Sequence, residues 1–207
     1  MATVITPYKD SAKIMEHLAK KLTDYILRKG VIEEKDYDLY RYGLLCSLEI
    51  AFSIATSIII ALFLKMLLPC LFFFLFFIPM RSFGGGLHLK SYFACYIGSC
   101  LILTSALLAV KHFTFPLLTS LVIYTFSAVA IVLIGPVDHP NREVDANENM
   151  KFKKRTNITI LFATIISILL FFYKNNSYLM LEAITFAFLS ITAITGKFAH
   201  RQSSHHQ

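Results

Sequence analysis

Six apolar runs separated by short polar links constrain this chain more than any other feature. They cover residues 43–64, 66–80, 92–110, 113–134, 158–173 and 178–195. A helix needs about 20 apolar residues to cross a bilayer. In lipid the backbone must satisfy its own N–H and C=O groups, which a helix does and an open strand does not. The expectation is an all-α, polytopic integral membrane protein with about six transmembrane helices. Composition agrees: 56% of residues are hydrophobic and 16% charged, with 19 phenylalanines and no tryptophan. No second soluble domain stands out. The chain therefore reads as one membrane-embedded domain over 1–207, with an amphipathic N-terminal segment at 1–42, the spans within 43–195 and a polar tail at 196–207. The run 66–80 is short for a span, so Arg81 to Phe83 should be drawn toward the membrane boundary.

The first 40 residues lack the short apolar core of a signal peptide. Over 11–29, Ile14, Leu18, Leu22 and Ile26 recur every four residues among Lys13, Glu16, Lys20, Lys21, Asp24 and Arg28. That spacing predicts an amphipathic helix, ended by Gly30, suited to a membrane surface or to packing on the rest of the protein. Residues 33–42 read as a polar link.

Basic residues assign the sides. The N-terminal segment holds Lys9, Lys13, Lys20, Lys21, Arg28, Lys29, Lys35 and Arg41, and the second polar link holds Arg81 and Lys90. The long link at 136–157 holds Arg142, Lys151, Lys153, Lys154 and Arg155, and the tail holds Lys197 and Arg201. The alternate links hold Lys65, Lys111 and Lys174, one each. Cytoplasmic loops carry the excess of Lys and Arg, so both termini and the 81–91 link are expected on the cytoplasmic side of a cell membrane. This bias, with contact to anionic lipid, accounts for the net charge of +7. No basic stripe with interleaved aromatics suggests nucleic acid as a partner.

The link Arg81-Ser82-Phe83-Gly84-Gly85-Gly86-Leu87-His88 carries the chemistry. Three glycines in a row offer no packing area; they allow positive φ and close approach to the main chain. His88 supplies a base near neutral pH, and Cys95, seven residues on, supplies a nucleophile once ionised. On a straight helix such a pair would lie about 10 Å apart along the axis, too far for a hydrogen bond. A joint role therefore requires the chain to fold back. Residues 84–90 read as non-helical and Ser91 as the N-cap of the next helix. That puts Cys95 near the first turn, where the helix dipole favours a thiolate. An ordinary turn with an incidental histidine and a core cysteine would have the same spacing.

Two carboxylates fall inside spans, where they are costly and often functional. Glu49 lies about a turn and a half into the first span from the cytoplasmic side, within reach of the glycine link. Glu182 lies near the opposite boundary and reads as a hydrated group. Cys46, Cys70 and Cys100 are most simply small apolar core residues. The four cysteines form neither a disulfide framework nor a metal-ligand pattern, so no metal or cofactor is expected.

This arrangement resembles the accessory gene regulator B (AgrB) family. The resemblance rests on Arg-x-x-x-Gly-Gly-x-His, here Arg81 to His88, followed by Cys95, within a chain of six spans. The link beginning Gly135-Pro136-Val137-Asp138-His139-Pro140-Asn141-Arg142 also looks like the family's proline-containing connection, departing at Glu143 where a second proline is expected. The resemblance implies a cysteine endopeptidase that removes the C-terminal tail of a small quorum-sensing propeptide and closes the remainder into a cyclic thiolactone. It implies His88 and Cys95 as the catalytic pair. Arg81 and Gly84, Gly85 and Gly86 are candidates to face the oxyanion or position substrate, and Asp138 or Glu49 to orient His88. The expected partners are a small amphipathic propeptide and membrane lipids, with a homodimer left as an option. The competing reading is a small transporter or exporter that uses Glu49 and the glycine break without proteolysis.

Overall fold

The computed structural model describes residues 7–84, 92–135 and 146–203, all of them outside strands. Seven α-helices appear there: α1 (Pro7–Arg28), α2 (Tyr37–Leu64), α3 (Leu67–Gly84), α4 (Tyr92–His112), α5 (Leu117–Ile134), α6 (Ala146–Phe172) and α7 (Asn176–Ser203), with a 3-10 turn at Glu34–Asp36. Four of the helices are long and apolar enough to cross a membrane, and the apolar parts of α3 and α4 are shorter. This is an all-helical membrane protein.

Several helices outrun the apolar runs. The polar link at 33–42 is helical from Tyr37, the second half of the 136–157 link is the start of α6, and the tail continues α7 to Ser203. Once a helix is nucleated, each added residue brings one backbone hydrogen bond. Polar residues such as Lys, Glu and Asn therefore extend it past the lipid boundary. Gly84 likewise closes α3, where the sequence suggested a non-helical start to the glycine link.

Two connections turn by the same device. At the end of α2, Lys65 adopts φ +57°, and the N–H groups of Lys65 and Met66 donate to Leu62 O and Ala61 O. At the end of α6, Lys174 adopts φ +54°, and the N–H groups of Lys174 and Asn175 donate to Phe171 O and Leu170 O. These are Schellman caps, which usually use glycine. Here a lysine bears the left-handed strain, of order 1–2 kcal/mol, with its ammonium near the negative end of the helix dipole.

The chain divides into two compact units. The first comprises residues 1–60 and 90–100. In it Arg41 pairs with Glu16 at 2.8 Å, and the Tyr37 hydroxyl donates to Asp24 Oδ1 at 2.7 Å. Both contacts join α1 to the start of α2. Ala19 and Thr23 are buried on α1, while Leu18 and Leu22 stay 45% and 41% exposed.

The second unit comprises residues 61–89 and 101–207, and its centre is α7. Leu179, Met180, Leu181, Glu182 and Ala183 are consecutive and all buried, so this stretch of α7 is enclosed on every side. Phe76, Met80, Tyr124, Ala128, Ile131, Ile160, Ala163, Ala183, Phe186 and Leu189 form one core. Cys70, Phe73, Leu103, Ala106, Leu107 and Leu181 form another with Ala61. Where lipid is the solvent, helices gain little from hydrophobic burial and associate by close packing of small residues. Ser120, Ser127 and Ala128 on α5, Ala163 and Ser167 on α6, and Ala183 and Thr185 on α7 supply it. Large apolar side chains such as Phe126, Leu133 and Phe172 point outward.

Candidate functional site

Some of the residues singled out by the sequence lie among the described residues and others do not. Arg81 lies in the last turn of α3, and Pro79 two residues earlier removes a backbone donor from the helix ladder. Gly84 is the final residue of α3. Gly85, Gly86, His88 and Asp138 lie outside the described residues. Cys95 is the fourth residue of α4. Position 49 is in α2.

The start of α4 is tied to α2 within the first unit. Tyr96, next to Cys95 in the chain, donates its hydroxyl to Thr56 Oγ1 at 3.1 Å, and its ring meets Phe52 with centroids 5.5 Å apart. Glu49 precedes Phe52 by three residues and Thr56 by seven. Residues at these offsets share one helix face, so position 49 falls on the face of α2 that meets Tyr96, about one turn nearer the helix start than Phe52.

In the second unit, the guanidinium of Arg155 lies 5.0 Å from the centroid of the Phe83 ring. Phe83 is the penultimate residue of α3, at the threshold of the glycine link. The same end of α6 presents Lys153 and Lys154 beside Met150, Asn157, Ile158 and Leu161 along a shallow groove. The basic cluster 151–155 thus makes a specific contact with α3, beyond the topological role that the sequence assigned to it. No local pattern could have signalled that, because the partners are 72 residues apart.

Glu182 also departs from its sequence reading. Its side chain is fully buried, with neither carboxyl oxygen in a hydrogen bond, rather than hydrated at the boundary. The alternation of small residues along α7, Ala183, Thr185, Ala187, Ser190 and Ala193, was the available sign of a central helix.

Among the described residues no cluster of His, Cys, Asp or Glu is arranged to hold a metal ion. Cys70 is buried, and Cys100 is half-buried. The arrangement at the candidate link is a helix end with a cationic side chain, then in sequence glycines and a histidine, then a helix with a cysteine in its first turn. A family model, accessory gene regulator B, matches residues 19–195. The chain belongs to the AgrB family. The match takes in α2 to α6 entirely, the second part of α1 from residue 19, most of α7, and every candidate residue named above. No curated protein and no solved structure matches the chain.

Proposed function

We propose that this chain is a cysteine endopeptidase of the bacterial cytoplasmic membrane that matures a small amphipathic quorum-sensing propeptide. The observation that carries the reading is the family match over 19–195, which encloses Arg81, the three glycines, His88 and Cys95. The Cys95 thiolate attacks the scissile carbonyl carbon while His88 takes the thiol proton. The tetrahedral oxyanion is met by backbone N–H groups of Gly84 to Gly86 or by the Arg81 guanidinium. Collapse breaks the C–N bond, and His88 returns its proton to the leaving amine of the tail. A thioester then joins the propeptide to Cys95. A cysteine of the same propeptide attacks that carbonyl, releases Cys95 and closes a thiolactone. One thioester replaces another, so the step is close to balanced, and a recessed, water-poor site favours it over hydrolysis.

Glu49 is the better supported orienting acid for His88, since it falls in register with Phe52 and Thr56, whose side chains meet Tyr96. Asp138 is the alternative. The topology that suits this chemistry has six spans, α2 to α7, with both termini and the 81–95 segment in the cytoplasm. α1 lies on the membrane surface, where the exposure of Leu18 and Leu22 supports contact with lipid.

Co-expression with the small precursor encoded nearby, followed by mass spectrometry of cells and medium, tests the proposal. Cys95→Ala and His88→Ala should each abolish cleavage while the protein stays in the membrane. Cys46→Ala, Cys70→Ala and Cys100→Ala should retain it. Full processing by Cys95→Ala, or loss only on replacing Glu49, would favour a transporter instead.

A further inference from the structure

Glu182 is a carboxylate inside a helical bundle with no protein cation opposite it. It sits six residues into α7, about 9 Å from the helix start. Its side chain is 0% exposed, and neither oxygen accepts a hydrogen bond. Ser167 stands beside it on α6, five residues before that helix ends, at the same depth because residues 173–175 join the two helices. Ser167 is also 0% exposed and its Oγ has no hydrogen-bond partner. Tyr124 on α5 borders both groups. Its hydroxyl is held by Thr164 Oγ1 at 2.8 Å and donates to Ile160 O at 3.3 Å. Three unpartnered buried oxygens therefore gather at one level between α5, α6 and α7.

The apolar parts of the packed segments contain nothing that neutralises a carboxylate, and the cations at the same bundle end, Lys65, Lys111, His112 and Lys174, are exposed. Residues 67–80 of α3, 101–110 of α4, 117–134 of α5 and 157–172 of α6 contain no Lys, Arg or His. The other titratable side chains there are Tyr124 on α5 and Cys70 on α3, with Tyr178 one turn before Glu182 on α7 itself. Both ion pairs found among the described residues, Lys35–Glu33 and Arg41–Glu16, are in the other unit. An isolated buried carboxylate costs many kcal/mol unless a positive partner joins it. No buried side chain supplies one, which leaves a proton or an ion from solution to neutralise the carboxyl.

We propose that Glu182, with Ser167 and Tyr124, forms an intramembrane site for a monovalent cation, a proton or an alkali ion, independent of the peptidase centre. The site lies close to the bundle end formed by the α6–α7 turn, and the occupant enters there. The carboxyl provides the charge, Ser167 Oγ the neighbouring lone pairs, and the Tyr124 hydroxyl, locked by Thr164, a fixed wall.

Dicyclohexylcarbodiimide tests the site, because this apolar reagent modifies protonated carboxyls buried in membrane proteins. The full-length protein in micelles is treated in choline chloride buffers from pH 6 to pH 9, with or without Na⁺, Li⁺ or K⁺, and the adduct is mapped by mass spectrometry. A proton site gives modification at Glu182 at least ten times faster than at exposed Glu33 and Glu34, slowing as pH rises and indifferent to salt. An alkali-ion site gives the same adduct slowed several-fold at constant pH by Na⁺ or Li⁺. Modification of Glu182 no faster than of Glu33 and Glu34, at every pH and in every salt, would overturn the proposal. Glu182→Gln should lose the adduct, but the wild-type comparison stands even if that variant fails to fold. Propeptide cleavage is not the readout, so the peptidase reading and this one can fail separately.

Discussion

Arg155, near the start of α6, stacks its guanidinium 5.0 Å from the centre of the Phe83 ring at the end of α3. Phe83 is the penultimate residue of α3, so this contact ties the end of α3 to α6. A cation–π contact at a partly exposed site contributes about 0.5–1 kcal/mol. Arg155→Ala and Phe83→Leu should each lower the precursor cleavage rate several-fold, with normal amounts in the membrane. The double variant should be little worse than either single one, because both remove the same contact. Arg155→Lys should retain part of the activity, since an ammonium keeps the charge but not the planar stack. Independent, multiplicative losses would show that the contact does not position the link.

The glycine link itself should respond to side chains. If Gly84, Gly85 and Gly86 allow the chain to reverse, a β-carbon at a residue of positive φ is costly, whereas one at negative φ is tolerated. At least one of Gly84→Ala, Gly85→Ala and Gly86→Ala should lose most cleavage activity, and Gly85→Val nearly all of it. Three fully active alanine variants would contradict a reversal built on glycine.

The end of α5 is capped from two sides. Gly135, at φ +71°, donates its N–H to Ile131 O at 3.0 Å, and Lys197 Nζ on α7 donates to Ile134 O at 2.9 Å. Gly135→Ala forces an L-residue into left-handed backbone and should cost about 1–2 kcal/mol, although open space surrounds the site. Lys197→Ala should cost about 0.5–1 kcal/mol through loss of charge at a helix C-terminus. Gly43→Ala, in helical α2 with nothing within 4 Å of the new carbon, should be neutral or stabilise by up to about 1 kcal/mol. Thermal unfolding followed by far-ultraviolet circular dichroism in micelles ranks the three.

Topology is checked from outside the cell. In a variant without the four native cysteines, Lys174→Cys should react with an impermeant thiol reagent in intact cells, and Asn147→Cys should not. Lys174 is exposed in the α6–α7 turn. The reverse pattern would overturn the arrangement with both termini inside.

The helices were legible because lipid leaves the backbone few choices: each long apolar run had to satisfy its own hydrogen bonds. The helix ends were less so. Residues 37–42, 146–157 and 197–203 are polar yet helical, since hydrophobicity marks the membrane and not the limit of the hydrogen-bond ladder. The depth of Glu182 could be read from its place in the run 178–195. Its burial could not, because that depends on α3, α5 and α6 packing against the same stretch of α7. The Arg155–Phe83 contact is likewise tertiary, with no periodicity to announce it. At the candidate site, Arg81 falls in the last turn of α3 and Cys95 in the first turn of α4. The pairing of His88 with Cys95 rests on chemistry, spacing and family.

Trapping the acyl-enzyme tests that pairing most directly. The purified protein is incubated with a precursor in which the ring-closing cysteine is alanine, so that nothing can displace the thioester by exchange. Intact-mass and peptide mass spectrometry should then show release of the C-terminal tail together with a gain on Cys95 equal to the N-terminal fragment less one water. Hydroxylamine should remove that adduct, and His88→Ala should form it far more slowly. Tail release from the Cys95→Ala protein at the parent rate would contradict the account.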